Sequence, residues 1–377
     1  MSPGDAEALP TPDASSPAED ASEALDAAGV AADAAPEPPD AQLAGLDAAQ
    51  PLVGCEQGAF TARFGNLHAH TSYSDGEQTP ADAFDYARNV AKLDVMLVTD
   101  HLEQVSIPMR WWNCRDQADD RDVPGQYVAA CGYEYATFDP LPISTGHNNV
   151  FFNASLMNAT KTNFHDLYAG LASCAECVGQ FNHPGDEERQ TWSDWEFDAA
   201  ADEKIALFEF NGGGAVWDLY FVALDKGWHV SPANNQDNHS ANWGTANSHR
   251  SGLFMADLTR DGLKEAMRAR RTFSTEDANA SIRLMGQGVC WMGSRLANVG
   301  GTLSAHVHAE DPDAAESWTS IELFGPGKTA LGTQLCAPGA TCSADFQVPL
   351  TGGTYLVARA TQADGEVLVS APIWAMP

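Results

Sequence analysis

The stretch LDVMLVTDH, residues 93–101, is the strongest indication of the fold in this sequence. Its first seven residues, Leu93 to Thr99, have the length and the branched apolar side chains of a buried strand. Asp100 and His101 follow at the point where that strand ends. Catalytic side chains of parallel α/β proteins cluster at the carboxyl ends of the strands, on one rim. The stretch therefore predicts a buried parallel strand with chemistry at its end.

Helices and further strands alternate around this stretch. Thr79 is placed to cap a helix that starts with Pro80 and turns Phe84 and Ala87 to one face. The sequence GLKEAMRARR, residues 262–271, indicates another helix. Strands separated by helices imply parallel βα units, and about seven such units fit between residues 62 and 280, which predicts a barrel. The other strands predicted here are Val178 to Asn182, Ile205 to Asn211 and Val230 to Asn235.

The two ends of the chain differ from this α/β region. Eleven acidic residues precede residue 51, and no Lys or Arg occurs before Arg63, so residues 1–54 are predicted to be a disordered acidic tether. After about residue 285, apolar and polar residues alternate between Gly and Pro turns, which is typical of antiparallel sheet. We therefore divide the chain into a tether (1–54), a barrel (55–284) and a small antiparallel β-sandwich (285–377). The predicted sandwich strands are 302–308, 320–324, 344–349 and 354–360.

The charge balance of the chain is strongly acidic. Its 377 residues include 20 Lys and Arg against 52 Asp and Glu, a formal net charge of -32. Such a chain repels polyanions, and non-specific nucleic-acid binding needs Lys and Arg to displace counterions. We therefore expect no nucleic-acid partner, and a small anionic or ester substrate instead. No stretch of about 18 apolar residues occurs, so no transmembrane helix is expected, although the tether could hold the protein at a surface.

The eight cysteines bear on the compartment in which the protein works. Their even number favours disulfides in an oxidising compartment over free thiols or a cysteine metal site. Cys336 and Cys342 flank a short loop that a disulfide could close, whereas Cys174 and Cys177 could also form a metal knuckle or a redox pair. The first residues lack the features of a secretory signal. The protein is thus either cytoplasmic or, as we favour, exported to the periplasm or cell surface with a signal upstream of Met1.

Polar residues that bind metals follow the apolar runs throughout the α/β region. His68 and His70 are two residues apart, so on a strand they point to the same side and can hold one metal, and Asp237 and His239 share that spacing. A carboxylate such as Glu134 can bridge two metals, which a neutral imidazole cannot do. Taken singly, each motif also fits an ordinary strand end, helix cap or turn. The candidate metal ligands are His68, His70, Asp75, His101, Glu134, His147, His183, Asp237 and His239.

Four residues are candidates for direct roles in catalysis. Asp237 is also one of the candidate ligands. Asp100 could orient a neighbouring ligand without binding the metal itself. His249 and Arg250 could reach a phosphate group of a substrate. Glu209 and Asn211, at another strand end, could line the pocket.

The order of these motifs resembles that of the polymerase and histidinol phosphatase (PHP) superfamily. LHAHTSYSDG (67–76) matches its first motif, VTDH (98–101) its second, FNHP (181–184) its third and DNH (237–239) its fourth. The resemblance covers about residues 62–280. The segment GLKEAMRARRTFSTE (262–276), with MGS at 292–294, looks like the branch that contains carbaryl-hydrolase-like metallohydrolases. Gln236 stands where relatives often carry a small hydroxyl residue.

The resemblance implies a distorted, TIM-like (β/α)7 barrel that holds two or three divalent ions of zinc, manganese or iron. By that analogy, one ion would use His68, His70, Glu134 and Asp237. Glu134 would bridge to a second ion on His147 and His183. A third would use Asp75, His101 and His239.

These expectations indicate a metal-dependent hydrolase. A phosphoesterase is favoured, in which a metal-bridging hydroxide attacks a small phosphate monoester or diester. The alternative is a carbamate, ester or amide hydrolase that uses the same site. Nuclease action is opposed by the net charge. A non-catalytic surface protein that binds a partner through the β domain also remains open.

Overall fold

A computed structural model describes residues 53–140, 143–158, 163–185, 192–211, 215–297, 301–313, 315–350 and 352–377. Nearly all of the predicted tether, residues 1–54, lies outside these ranges. No helix among the described residues is long and apolar enough to cross a membrane. The helices are α1 (Pro80–Asn89), α2 (Leu102–Val105), α3 (Arg110–Asp119), α4 (Phe164–Ser173), α5 (Trp192–Trp195), α6 (Ala199–Asp202), α7 (Val216–Asp225) and α8 (Arg260–Arg268).

The strands follow the same order along the chain. They are β1 (Thr61–Asn66), β2 (Val95–Val98), β3 (Val128–Cys131), β4 (Tyr133–Pro140), β5 (Ile143–Phe151), β6 (Val178–Asn182), β7 (Ile205–Glu209), β8 (Ser231–Ala233), β9 (Arg250–Met255), β10 (Thr272–Thr275), β11 (Ser281–Gly286), β12 (Cys290–Trp291), β13 (Arg295–Leu296), β14 (Gly301–Glu310), β15 (Trp318–Gly325), β16 (Thr329–Leu335), β17 (Thr341–Leu350), β18 (Thr354–Gln362), β19 (Val367–Ser370) and β20 (Ile373–Ala375).

The stretch 93–101 forms a buried strand with its polar residues at the end, as predicted. All four residues of β2 are buried, and β2 lies between the parallel strands β1 and β3. The helix α1 before it begins with a capping box. Thr79 accepts a hydrogen bond from the Asp82 amide, and the Asp82 carboxylate accepts one from the Thr79 amide. Phe84 and Ala87 are on its buried face.

The strands do not close into the predicted TIM-like (β/α)7 barrel. One sheet carries the order β10-β9-β1-β2-β3, and a second has the order β4-β5-β6-β7-β8. The parallel pattern is also interrupted, because β5, β9 and β10 run antiparallel to their neighbours. Between β8 and β10, a side chain rather than the main chain donates the hydrogen bond: Thr272 Oγ1 donates to the Pro232 carbonyl at 2.7 Å. The fold is therefore α/β with two sheets that are not joined into one closed ladder.

Both sheets nevertheless cover a common core. Leu67, Leu97 and Leu253 come from the first sheet and its extensions, and Phe151 and Leu207 come from the second; all are buried in one hydrophobic cluster. Helix α8 packs against this cluster through its apolar face. The ends of strands from both sheets thus meet around a shared centre.

The C-terminal part forms two layers of strands, which are antiparallel except for the short parallel pair β13 and β20. The order β12-β11-β14-β17 makes a four-stranded sheet, and β13, β15, β16, β18, β19 and β20 extend the first sheet. A second hydrophobic cluster lies between the layers. Because β19 pairs with β10, the C-terminal strands share a ladder with the α/β region. The proposed boundary after residue 284 falls inside β11 and stays a prediction.

All eight cysteines are paired in disulfides, including the predicted pair Cys336–Cys342. Cys174 and Cys177 also bond to each other, so they do not form a cysteine metal knuckle here. The remaining pairs are Cys55–Cys290 and Cys114–Cys131.

Candidate metal centre

Extended segments beyond the strand ends bring the predicted ligands together. Residues 67–70 continue β1, and their main chain is held on both sides: the Thr99 amide donates to the Ala69 carbonyl, and the His70 amide donates to the Asn238 carbonyl. His68 and His70 therefore point the same way, as their spacing predicts. Since β5 runs antiparallel, His147 pairs with Asn182 and lies beside His183 at the end of β6.

Glu134 is the centre of the arrangement. Its side chain is 1% exposed, and its carboxylate also accepts a hydrogen bond from Asn182 Nδ2 at 2.9 Å. Five imidazoles surround it, with nitrogen–oxygen distances from 3.0 to 3.5 Å: those of His68, His70, His101, His147 and His183. Imidazole nitrogens lie near both oxygens of the carboxylate. The Glu134 side chain is therefore placed where it could bridge two metal ions.

In His68 and His239, a hydrogen bond to one ring nitrogen determines which of the two nitrogens faces the centre. Glu209 can only accept a hydrogen bond when ionised, so His68 Nδ1, at 3.1 Å, is the donor and Nε2 faces inward. His239 Nδ1 lies 3.0 Å from the Asp237 carbonyl, which again leaves Nε2 to face the centre, 3.4 Å from Asp75 Oδ1. Metal-binding histidines characteristically hold their second nitrogen on a carboxylate or carbonyl in this way.

His70 is oriented through a serine. Ser74 Oγ donates to Asp100 at 2.6 Å, so it accepts from His70 Nδ1 at 3.1 Å. His70 Nε2 then lies 3.3 Å from His68 Nε2 and 3.1 Å from Asp237 Oδ1. Two imidazole nitrogens and one carboxylate oxygen thus point at the same small volume.

The donor atoms fall into three groups, each with its atoms within 4.8 Å of one another. His70 is shared by two of them. Asp237 Oδ1 and His101 Nδ1 are buried without a formed hydrogen bond in the described part of the chain, although other donor atoms lie near them. Mixed imidazole and carboxylate donors suit zinc, manganese and iron, so the residues fit the implied metals. The groups are His68, His70 and Asp237; Glu134, His147 and His183; and His70, Asp75, His101 and His239.

The electrostatics of the centre favour positive charge. Burial acts to raise the pKa of Glu134, but His68 and the other histidines hold that pKa well below its usual range. Asp237 behaves similarly, with His68 and His70 lowering its pKa against burial. Conversely, burial acts to lower the pKa of His70, yet Asp237 and Glu134 raise it to about 9. Buried carboxylates of this kind need either protons on the imidazoles or bound cations.

Two of the candidate ligands have unusual main-chain conformations. His183 has φ 30° and Asp237 has φ 48°, in the left-handed region that side chains rarely adopt. Pro184 follows His183 and restricts its backbone further. Conformations of this kind cluster at functional sites, where the surrounding structure holds them.

The other predicted catalytic residues lie behind or beside the centre. Asp100 is buried and accepts hydrogen bonds from the amides of Thr71 and Ser74, so it orders the turn after His70. Arg250 donates to the carbonyls of Gly244, Asn247 and His249. No contact of His249 or Arg250 with the nine candidate ligands is present among the described residues.

Sequence reasoning missed a buried amide network beneath the centre. Asn182 contacts both Glu134 and Asn149, and Asn235 Nδ2 donates to Glu209 at 2.9 Å. The amide of His183 donates to the same Glu209 carboxylate at 2.7 Å. The only signal in the sequence was that Asn182, Glu209 and Asn235 lie at or near the end of an apolar run, whereas Asn149 precedes one.

Comparison with known proteins gave matches among solved structures only. No protein-family model and no curated protein matches the chain. A two-domain protein from Bacteroides vulgatus, described as containing a predicted PHP-like metal-dependent phosphoesterase, has 15% identity and a TM-score of 0.48, with 86% of this chain and 100% of that one covered. A metal-dependent phosphoesterase, so described, from Bifidobacterium adolescentis has 13% identity and a TM-score of 0.37, covering 56% and 97%.

A third similar structure is the lesion-specific endonuclease Q of Pyrococcus furiosus. Its identity is 14% and its TM-score 0.38, with 55% of this chain and 56% of that one covered. The expectation that nucleic acid is excluded as a partner was therefore wrong. The net charge of -32 is a sum over the whole chain, including the eleven acids before residue 51. Contact with a phosphate backbone depends instead on the local potential, which bound metals would make more positive.

Proposed function

We propose that this protein is a metal-dependent phosphoesterase that holds two or three ions of zinc, manganese or iron and cleaves a small phosphate monoester or diester. The observation that carries the proposal is the buried Glu134 carboxylate, surrounded by five imidazole nitrogens at 3.0 to 3.5 Å. Such ions, when bound, supply a water of lowered pKa and neutralise charge on the substrate. Two of the similar solved structures are described as metal-dependent phosphoesterases or as containing one.

The residues of the chain divide the remaining tasks between them. Glu134 and Asp237 hold negative charge at the centre, and Glu209 keeps His68 Nε2 turned inward. Asp75, His147 and His239 have side chains that are 49%, 30% and 42% exposed, so the substrate would enter between them. No Lys or Arg in the described ranges pairs with Asp75, Glu134 or Asp237. A phosphate would therefore be neutralised by the ions rather than by side-chain cations.

The first test is metal content. Glu134→Gln keeps the shape of the side chain but removes the charge between the donor groups. We expect it to lose at least one bound ion per chain, measured by elemental mass spectrometry, and to lower kcat/KM for p-nitrophenyl phosphate or its diester by about 100-fold or more. His165→Ala removes an exposed histidine outside the centre and is the matched control.

Chelation should abolish the activity of the wild type, and added zinc, manganese or iron should restore it. Full activity of Glu134→Gln with normal metal content would refute the proposal. The carbaryl-hydrolase-like branch implies an aryl carbamate instead. Faster cleavage of that substrate than of either phosphate ester would replace phosphoester chemistry by carbamate chemistry in the same centre.

We also propose that the protein works after export, in an oxidising compartment. The pairing of all eight cysteines supports this location, because disulfides are rare in the reducing cytosol. Reaction of the protein, taken from its natural source, with a thiol-specific reagent checks it. Eight reactive thiols would place the protein in the cytoplasm.

A further inference from the structure

The segment between β8 and β9 carries two of the candidate ligands, Asp237 and His239. Asp237 is held by the main chain itself, because its amide donates to the His68 carbonyl at 3.1 Å. His239 lies further along, and its side chain is 42% exposed. The residues that follow it, 240–249, form no helix or strand, so side-chain contacts must determine the shape of this part of the segment.

The side-chain amide of Gln236 closes the segment into a loop. Gln236 Nε2 donates to the Asn247 carbonyl at 3.0 Å and to Asn247 Oδ1 at 2.9 Å. Its Oε1 accepts a hydrogen bond from the Gly244 amide at 2.7 Å. The main chain of Gln236 is itself tied to the end of β1, since its amide donates to Asn66 Oδ1 at 3.2 Å. One side chain thus joins the start of the segment to two points in its second half.

Arg250 contacts the same two residues from the opposite end of the loop. Its Nη2 donates to the Gly244 carbonyl at 2.7 Å, and its Nη1 donates to the carbonyls of Asn247 and His249 at 3.2 and 2.7 Å. Gly244 is therefore held at both its amide and its carbonyl. It has φ 80°, and an added Cβ would lie 2.6 Å from the Ala91 side chain, so the loop also depends on a glycine at this position.

The closed loop in turn holds the surroundings of His239. The Ala241 amide donates to the Glu77 carboxylate at 3.1 Å, and the Glu77 amide donates to the His239 carbonyl at 3.0 Å. Trp243 Nε1 donates to the His70 carbonyl at 3.0 Å. His70 and His239, which belong to one donor group, are thus fastened to the same loop.

We infer that Gln236 and Arg250 are positioning residues for the donor group that contains His239. The inference rests on the proposed function, since it concerns the ions of the candidate metal centre. A loop that is closed before an ion arrives loses less conformational entropy when the ion binds. Arg250 therefore has a role that differs from the phosphate contact predicted for it, because three of its hydrogen bonds go to main-chain carbonyls of the loop.

The test compares Gln236→Met with the wild type by isothermal titration calorimetry, with zinc or manganese added to the metal-free full chain. Methionine is unbranched and of similar length, but it does not replace the hydrogen bonds of the amide. We expect the affinity for one ion per chain to fall by about 10- to 100-fold, and the affinity for the remaining ions to stay unchanged. Gln334→Met, at an exposed glutamine on β16, is the matched control and should bind like the wild type.

A double variant separates positioning from a merely structural role. His239→Ala removes the ligand through which Gln236 acts, so adding Gln236→Met to it should cause no further loss of metal affinity. A structural role would instead lower the melting temperature of the metal-free protein and leave the metal affinity unchanged.

The possible results also distinguish this inference from the proposed function. A wild type that binds no metal would refute both. Three results in a wild type that does bind metal would overturn the inference alone: an unchanged affinity of Gln236→Met, an equal loss at every ion, or a full additional loss in the double variant.

Discussion

At the scale of single residues, Glu209 holds two candidate ligands in place, although it belongs to none of the three donor groups. Three donors converge on its carboxylate: His68 Nδ1, Asn235 Nδ2 and the amide of His183. Glu209 is fully buried, so these three donors are its partners in place of bulk solvent. It therefore sets the ring orientation of one proposed ligand and the backbone position of another at the same time.

Glu209→Gln should weaken metal binding by about 10- to 100-fold, because a glutamine turns an N–H toward at least one of the three donors. Competition with a metal-chelating dye measures this affinity. Glu176→Gln, at an exposed carboxylate paired with Lys264, should bind metal as the wild type does. An unchanged affinity of Glu209→Gln would show that the centre holds its own geometry.

At the scale of elements, one carboxylate ties helix α6 to the start of β8. Asp202 accepts hydrogen bonds from the His229 amide at 2.6 Å and His229 Nδ1 at 2.7 Å. Burial acts to raise the pKa of Asp202, but His229 and Arg270 lower it below the ordinary value. A carboxyl with a lowered pKa in the folded state adds stability above about pH 4, and this stability is lost as the pH falls below that value.

Asp202→Asn should therefore lower the free energy of unfolding by about 2 kcal/mol at neutral pH. The difference from the wild type should shrink at about pH 3, where the wild-type carboxyl takes up a proton. Urea denaturation at both pH values measures it. Glu203→Gln changes an exposed bridge to Arg295 and should have little effect at either pH. A difference that is constant with pH would contradict the role given to the charge of Asp202.

The elements with strong local signals were predictable, and those that depend on distant pairing were not. The apolar run of β2 and the Thr79 cap of α1 mark their elements in the sequence itself. The long hairpin of β4 and β5 was missed, because prolines interrupt the run between Glu134 and His147 and break the alternation that marks a hairpin. The antiparallel course of β9 and β10 was hidden for a similar reason, since an apolar run has no visible direction.

In the candidate metal centre, too, local features could be predicted from the sequence and features that depend on distant pairing could not. Its nine candidate ligands could be proposed because they follow apolar runs, and the structure brings all nine side chains together. The contact of Asn235 with Glu209 depends on the register between β7 and β8, which neither strand determines alone. Apart from Cys336–Cys342, which a short loop brings together, the disulfide pairing was equally out of reach, because eight cysteines allow about 105 connectivities.

At the scale of the whole molecule, the disulfides differ in how much of the chain they close. Cys55–Cys290 spans 235 residues, whereas Cys174–Cys177 spans 3. By the loop-entropy model, removing the first pair with Cys55→Ala and Cys290→Ala should cost about 5 kcal/mol, and removing the second should cost about 2 kcal/mol. Calorimetric melting of both double variants compares them. Equal losses would show that the long loop is already restricted in the unfolded chain.

The same long-range disulfide has a consequence for biosynthesis. Translation proceeds at roughly 5–20 residues per second, so Cys290 leaves the ribosome roughly 10–50 s after Cys55. During that interval Cys114, Cys131, Cys174 and Cys177 emerge first and are nearer partners for the waiting Cys55 thiol. Correct pairing then requires either that their own two disulfides form early or that an isomerase reopens the wrong bonds, so the yield of native protein depends on the disulfide-exchange machinery of the cell that makes it.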